Sequence, residues 1–334
     1  MLKNETVLIA PLNWGLGHAT RCIPLINKCL KNGNKVIIAS DGEAMDLLKK
    51  EFPQLPAEEL SGYDIRYPKK AFLMPLYMLM QSRNVYKSIK REHKETQQIV
   101  EKYAITQIIS DNRYGVYHKK IPSFFLSHQL RVLSGIFTPI STYIQKKLLR
   151  SFDEVWVPDY PDKKNLSGKL SHELSLDKPI KYIGPMSRLN KNQKPKKTDI
   201  FILLSGPEPQ RSLLEKKLIQ ILSPTEYKII LVQGKIAEKK KNTQKGTIKI
   251  INYLLGEEIE GYLQSSRLVI SRSGYTSIMD YHHLNLKALL VPTPGQYEQE
   301  YLAKHLLHTC KIPYLPQNKI DSSLLISIKE LLGS

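Results

Sequence analysis

The sequence predicts an α/β protein made of two doubly wound, Rossmann-like domains facing a central cleft. Two observations carry this. Short apolar runs of strand length alternate with helix-length segments through both halves of the chain. Several of these runs end in turns rich in Gly, Ser, Asp or Asn, which in an open α/β sheet fall at the carboxyl edge, where ligands bind. At 334 residues the chain is also too long for one typical core, so two domains are expected.

Thr6 to Leu12 reads as the first buried strand. NWGLGHATR follows it, and IPLINKCLKNG continues as an amphipathic helix ending near Gly33. Lys35 to Ala39 is the second strand, with Ser40, Asp41 and Gly42 turning into a helix. A dinucleotide fingerprint needs a third glycine three residues after G-x-G, and Thr20 stands there. What the loop offers instead is bare backbone at a helix start, with His18 and Arg21 beside it. Lys69 to Lys102 reads as a helix whose Met-rich apolar part, AFLMPLYMLM, leads into Arg83, Lys87, Lys90, Arg91 and Lys94. Apolar bulk beside cations suits an anionic membrane surface. Ile105 to Ser110 is a strand capped by SDNRYG, which puts Asp111 on a carboxyl-edge loop. Pro122 to Leu126 is another, followed by SHQLRVLSG with His128 at the junction. Thr138 to Arg150 is a basic amphipathic helix and a second membrane-contact segment. Asp153 to Val157 and Lys181 to Gly184 close this half.

Asn190 to Thr198, NKNQKPKKT, is polar, basic and aperiodic. It is expected to link an N-terminal domain, 1–189, to a C-terminal domain, 199–334, whose last helix can return to the first. Asp199 to Leu204 restarts the pattern with a strand and the turn SGPEPQR. Ser212 to Leu222 is a helix and Tyr227 to Gln233 a strand. A charged, solvated loop then leads to a strand at Ile248 to Ile251 and a helix at Gly256 to Gln264. From Leu268 to Leu302 the chain parses as strand, SRSG turn, helix, strand, Pro-Gly loop and helix. Ile312 to Tyr314 is a short edge strand and Ser322 to Leu332 the closing helix. The SRSG turn presents free N–H groups at the positive end of a helix, a ready anion site. Asp280, Gln296, Glu298, Gln299 and Glu300 stand near it for hydroxyl groups.

The formal charge of +19 favours anionic partners. Nucleic acid is not among those expected, because no recognition motif is present and aromatic residues do not interleave the basic runs. Cys22, Cys29 and Cys310 have neither metal nor disulfide spacing and suit a reducing cytoplasm. The N-terminus lacks a signal-peptide apolar region, and no stretch approaches the ~20 apolar residues of a membrane span. No Asp-x-Asp pair follows a strand; Asp159 and Asp162 suit a turn. No metal or cofactor is expected.

The combination of NWGLGHATR, LLSGPEPQR and SRSGYTSIMD…LLVPTPGQYEQ resembles the GT-B glycosyltransferases. Within them it is similar to the family of the bacterial transferase that adds N-acetylglucosamine to a lipid-linked peptidoglycan precursor. The likeness is fullest from Asp199 to His305. It implies that the C-terminal domain holds a UDP-sugar. Ser271, Arg272, Ser273, Gly274 and Ser277 would surround the donor phosphates, with Gly206 and Arg211 flanking them. Asp280 would meet the ribose, where the family commonly has Glu. Gln296, Glu298, Gln299 and Glu300 would reach the sugar, although a second Gln is usual at the last position. Tyr253 and Leu254 would border the base. The N-terminal domain would hold a lipid-linked or cell-envelope glycan acceptor with Asn13, Gly15, Gly17, Arg21 and His128. His18 is the candidate general base of an inverting, metal-independent transfer, with Asp111 an alternative base or its orienting partner. A peripheral position on the inner face of the cytoplasmic membrane would serve such an acceptor. A hydrolysing UDP-N-acetylglucosamine 2-epimerase shares the two-domain plan and remains the alternative.

Overall fold

The computed structural model describes residues 4–63, 74–192, 194–235 and 239–333; for 74–82 it describes the backbone alone. The chain divides into two compact units, Met1–Met186 and Ser187–Ser334.

The first unit runs β1 (Thr6–Pro11), α1 (Leu16–Lys31), β2 (Lys35–Ser40), α2 (Gly42–Glu51), β3 (Ala57–Glu59), α3 (Met74–Tyr103), β4 (Gln107–Asp111), β5 (Ser123–Leu126), α4 (Thr138–Leu149), β6 (Glu154–Val157) and β7 (Ile180–Tyr182). Among the described residues its seven strands lie in the order β3-β2-β1-β4-β5-β6-β7, and every pairing of these strands is parallel. Val7, Leu8, Ile9 and Ala10 are fully buried, as a central parallel strand covered on both faces requires. The strand order reverses between β1 and β4. Their register sets Pro11 beside Asp111, so the loops after both strands open at one switch point.

The second unit runs β8 (Thr198–Leu203), α5 (Gln210–Leu222), β9 (Ile229–Val232), β10 (Asn242–Lys245), β11 (Ile248–Ile251), α6 (Gly256–Ser265), β12 (Ser266–Ser271), α7 (Tyr275–Leu284), β13 (Ala288–Leu290), α8 (Tyr297–Thr309) and α9 (Ser323–Gly333). The order β10-β11-β9-β8-β12-β13 reverses between β8 and β12. The core gathers Ile200, Ile202, Leu231, Leu268 and Ile270 from the sheet. Leu324 and Ile328 of α9 join it, so the closing helix, which the sequence left free to return to the first domain, packs in its own unit.

Four local features differ from the sequence reading. Asn242–Lys245 folds back antiparallel on β11, where a solvated loop was expected. All four residues are exposed, so this edge strand has no apolar alternation to announce it. β3 is also new. Ile312 to Tyr314 reduces to one bridge between Tyr314 and Leu290. Asn190, Asn192 and Lys196 of the expected linker are tied to α6, where Glu260 Oε2 accepts from Asn190 N at 2.9 Å, Gln264 Oε1 from Asn192 N at 3.1 Å and the Gln264 carbonyl from Lys196 Nζ at 2.9 Å. The apolar part of the first expected membrane segment, residues 71–80, lies outside the described side chains.

Candidate active site

The first unit gathers its predicted site residues at the β1/β4 switch point. Gly15 caps α1 with φ 73° and no side-chain cap. No atom lies within 4 Å of where its Cβ would stand, so the helix start is open. Gly17, His18 and Arg21 lie on the first turns of α1. His18 and Arg21 are three apart and share a helix face. That face meets Asp111, the last residue of β4. Asp111 is fully buried. Its Oδ2 accepts from Arg21 Nε at 2.6 Å, and Oδ1 accepts from Arg21 Nη2. Oδ1 also lies 2.9 Å from His18 Nδ1. The Cys22 thiol points at Oδ2 from 3.5 Å. Across the guanidinium, Nη1 stands 3.0 Å from His128 Nδ1 at the end of β5.

Electrostatics separates the members of this cluster. Burial alone would raise the Asp111 pKa, but Arg21, then His18, and their hydrogen bonds outweigh it. The carboxyl is held well below its usual range. The His18 pKa is lowered, first by burial and then by the Arg21 charge, against the pull of Asp111. Its imidazole is therefore neutral at neutral pH. Arg21 Nη2 lies 2.8 Å from the same Nδ1 and Asp111 Oδ1 competes for it. An ionised carboxylate is the stronger partner for an N–H, which leaves Nε2 carrying the lone pair. Asp111 therefore has both oxygens engaged and its proton affinity depressed.

Asn13 was expected to reach a ligand. Its Nδ2 donates to Asp41 Oδ2 at 3.2 Å, and its Oδ1 accepts from Ala44 N at 3.3 Å. It braces the first loop against α2. A network absent from the sequence reading extends from there. Arg113, fully buried, donates to Asp41, to Glu92 Oε1 at 2.7 Å and to the Pro11 carbonyl at 2.9 Å. It ties the ends of β1, β2 and β4 to α3. Asn112, at φ 58°, makes the turn, a conformation Asn tolerates.

In the second unit the loops after β8, β12 and β13 carry the predicted donor residues. Helices α5, α7 and α8 begin there without a hydrogen bond from the N-cap side chain; in the first turn of α5, Ser212 N donates to Glu208 Oε2 at 3.2 Å. Gly206 takes φ 99°, and a Cβ there would stand 3.6 Å from Thr293 Oγ1. Ser273 Oγ donates to the Gln299 carbonyl at 2.8 Å, joining the β12 turn to α8. Ser277 lies in the first turn of α7 and Asp280 in its second. Asp280 Oδ1 accepts from Ser187 Oγ at 2.6 Å. Burial pushes the Asp280 pKa up to about 6, against the lowering effects of Ser187 and Arg188.

Several predicted donor residues have other work. Arg272 is buried. Its Nη1 donates to the Val291 and Pro292 carbonyls at 3.2 and 3.3 Å, and Nη2 to the Gln210 carbonyl at 2.9 Å. The side chain staples three loops through Nη1 and Nη2, and its buried Nε has no hydrogen-bond partner. Arg211 binds Glu208 Oε1 through Nε and Nη2 at 3.0 and 2.5 Å, and the Gly234 carbonyl through Nη1 at 3.1 Å. Gln299 folds its own loop, accepting from Thr293 N at 2.9 Å and donating to Gln296 Oε1 at 2.5 Å. Glu300 accepts from Gly295 N at 3.0 Å. Glu298 lies on the first turn of α8. Tyr253 and Leu254 follow β11, two strands from β8, and Leu254 is buried. Ser187 and Thr293 were missed: the first is distant in sequence from Asp280, and a lone Thr in a proline loop carries no signal.

Residues 208–333 match the glycosyltransferase family 28 C-terminal domain. An uncharacterized glycosyltransferase of Methanosarcina mazei is 24% identical over 313 residues, covering 86% of this chain and 80% of its own. The UDP-N-acetylglucosamine--N-acetylmuramyl-(pentapeptide) pyrophosphoryl-undecaprenol N-acetylglucosamine transferase of Clostridium tetani is 28% identical over 287 residues, covering 83% and 75%. Among solved structures, the spinosyn rhamnosyltransferase SpnG has a TM-score of 0.65 at 13% identity, over 98% of this chain and 96% of that one. MurG of Acinetobacter baumannii has 0.58 at 14%, over 99% and 91%. The chain is a glycosyltransferase built on the GT-B fold, with a C-terminal domain of the family 28 type.

Proposed function

We propose that this glycosyltransferase moves a hexose, N-acetylglucosamine first among the candidates, from a UDP-sugar to a hydroxyl of a lipid-linked or cell-envelope glycan. The observation that carries the reading is the His18–Asp111 contact at the open start of α1. His18 Nε2 takes the acceptor hydroxyl proton as that oxygen bonds to the anomeric carbon. The bond from that carbon to the UDP oxygen breaks, and UDP leaves with the electron pair. One displacement inverts the anomeric centre. Asp111 holds the imidazole in the tautomer that keeps Nε2 basic, and Arg21 keeps Asp111 ionised.

On the donor side, the reading assigns the diphosphate to the backbone N–H groups of residues 272–275 and the turn at Gly206. These helix starts offset leaving-group charge without a metal. Asp280 takes the ribose, with Ser187 released from it when the donor binds. The Gln296–Glu300 loop shapes the sugar pocket. A lipid-linked acceptor is served by a peripheral position on the inner face of the cytoplasmic membrane.

A thermal-shift screen of UDP-, GDP- and dTDP-sugars tests the donor. A donor that binds only the folded state raises the melting temperature, and the UDP-sugars are expected to stand out. A shift with dTDP-sugars alone would remove UDP from the reading. Conversion of UDP-N-acetylglucosamine to its epimer without acceptor would replace transfer by epimerisation.

A further inference from the structure

A buried hydroxyl without a partner lies beside the Gly206 turn. Thr293 follows β13 in the run VPTPG, is 2% exposed, and has its Oγ1 shut off from solvent. Among the described residues nothing hydrogen-bonds to that oxygen. An unpaired buried hydroxyl is unfavourable, and a valine would fill the same space without that cost. The residue has little freedom to find a partner of its own. Its N–H donates to Gln299 Oε1 at 2.9 Å, and its carbonyl accepts from Gln296 N at 3.1 Å. Pro292 and Pro294 flank it. A proline fixes its own backbone and restricts the residue before it, and a β-branched side chain is stiff at χ1.

The hydroxyl faces the turn after β8. A Cβ on Gly206 would stand 3.6 Å from Thr293 Oγ1 and, chain neighbours aside, within 4 Å of no other described atom. Gly206 takes φ 99°, a conformation that glycine adopts readily. Charge says which group would meet the hydroxyl. Helices α5 and α7 have no acidic residue in their first turns, and helix starts are positive. Glu208, the nearest carboxylate along the chain, is paired with Arg211 at 2.5 Å. The Arg272 guanidinium binds the carbonyls of Val291 and Pro292, the two residues before Thr293. The surroundings are therefore cationic, and an anion that accepts hydrogen bonds fits them.

We propose that Thr293 is a donor-binding residue whose hydroxyl donates to a phosphate oxygen of the nucleoside diphosphate at the Gly206 turn. Because Oγ1 is shut off from solvent, the turn yields as the phosphate enters, and glycine gives it the freedom to do so. The hydroxyl is then a donor held in place before the ligand arrives, and the ligand supplies the partner that the fold withholds. This rests on the donor reading above, which puts the diphosphate at Gly206, and adds the side chain that meets it.

Calorimetric titration with UDP, GDP and dTDP, set beside thermal unfolding of the free protein, tests the assignment. Thr293→Val keeps the shape and removes the hydroxyl. It is expected to bind the nucleotide that the wild type prefers about ten- to a hundredfold more weakly, the scale of one hydrogen bond to a charged group. Its free form is expected to melt at or above the wild-type temperature, since the fold has no hydrogen bond to lose there. Thr293→Ser should restore most of the affinity. Wild-type affinity in Thr293→Val, or a free form that melts below the wild type, would overturn the assignment. So would a loss seen with the nucleotide sugar and not with the nucleoside diphosphate, which would give the hydroxyl to the sugar. If Thr293→Val fails to fold, Thr293→Ser and Thr293→Ala differ by that oxygen alone, and equal affinities of these two would overturn it. A wild type that prefers GDP or dTDP removes UDP from the donor reading, and the comparison with Thr293→Val is then decided with that nucleotide. A wild type that binds none of the three overturns both.

Discussion

Arg21 grips Asp111 at two points, with Nε 2.6 Å from Oδ2 and Nη2 on Oδ1. Both side chains are buried, so each charge depends on the other. Removing one partner leaves an uncompensated buried charge, which costs about 3–5 kcal/mol. Arg21→Met is expected to lose stability on that scale in urea unfolding. It also removes a positive neighbour that lowers the His18 pKa after burial. A base works deprotonated, so the rate falls as pH drops through that pKa. The acid limb of kcat against pH is expected to move upward in Arg21→Met. Arg21→Lys keeps the charge but cannot span both oxygens, and should restore the limb better than the rate.

Asp111→Asn isolates the orienting role. The carboxylate raises the His18 pKa, against burial and Arg21, so its loss lowers that pKa further. The acid limb should move to lower pH while kcat falls, because the amide no longer enforces the productive tautomer. A limb that moves upward would show that Asp111 does not act on His18.

The proposed ribose role of Asp280 predicts a link between stability and donor binding. Its pKa rises from 3.8 to about 6 on folding, so the folded state holds a proton that the unfolded state has released between those values. The resulting stability is fully present below the unfolded pKa and is lost as pH rises through the folded one. Two units correspond to about 2–3 kcal/mol. Asp280→Asn is therefore expected to match or exceed wild-type stability at pH 7 by urea unfolding. It should nevertheless bind UDP more weakly by calorimetry. If Asp280 receives the ribose as proposed, wild-type UDP affinity should decline as pH falls through about 6, where its carboxylate becomes protonated. Retained affinity in Asp280→Asn would take the ribose role away from this residue.

Gly42 lies close to the Asn13 side chain in the first unit. Its φ is 49°, and a Cβ would overlap Asn13 Nδ2. Gly42→Ala is expected to cost about 1–3 kcal/mol and to shift the loop that carries Gly15. A melting temperature equal to that of the wild type would mean that the loop yields freely.

The legible parts of this protein are those where one stretch of chain settles the matter. Val7 to Ala10 and Leu268 to Ile270 are buried parallel strands and read as apolar runs. The turns NWGLGHATR and SRSG announce helix starts through their glycines and serines. Asp111 could be placed at a carboxyl edge, but its partnership with Arg21 needs β1 and β4 to be neighbours, which no local pattern encodes. Ser187 and Asp280 meet for the same reason, far apart in sequence. Arg272, Arg211, Gln299 and Glu300 stood where the motif expects ligand contacts. Side-chain type does not reveal that a guanidinium has three carbonyls to staple or that a glutamine closes its own loop. Asn242–Lys245 was hidden because an exposed edge strand needs no apolar residue.

The central claim is transfer from a UDP-sugar with His18 as base. Labelled UDP-N-acetylglucosamine, incubated with a bacterial membrane lipid extract, tests it in one measurement. The wild type should carry label into the lipid fraction with one UDP released per sugar. His18→Ala should do so ~10²–10⁴-fold more slowly while binding UDP as the wild type does. Equal turnover by His18→Ala, or label released only as free or epimerised sugar, would contradict the account.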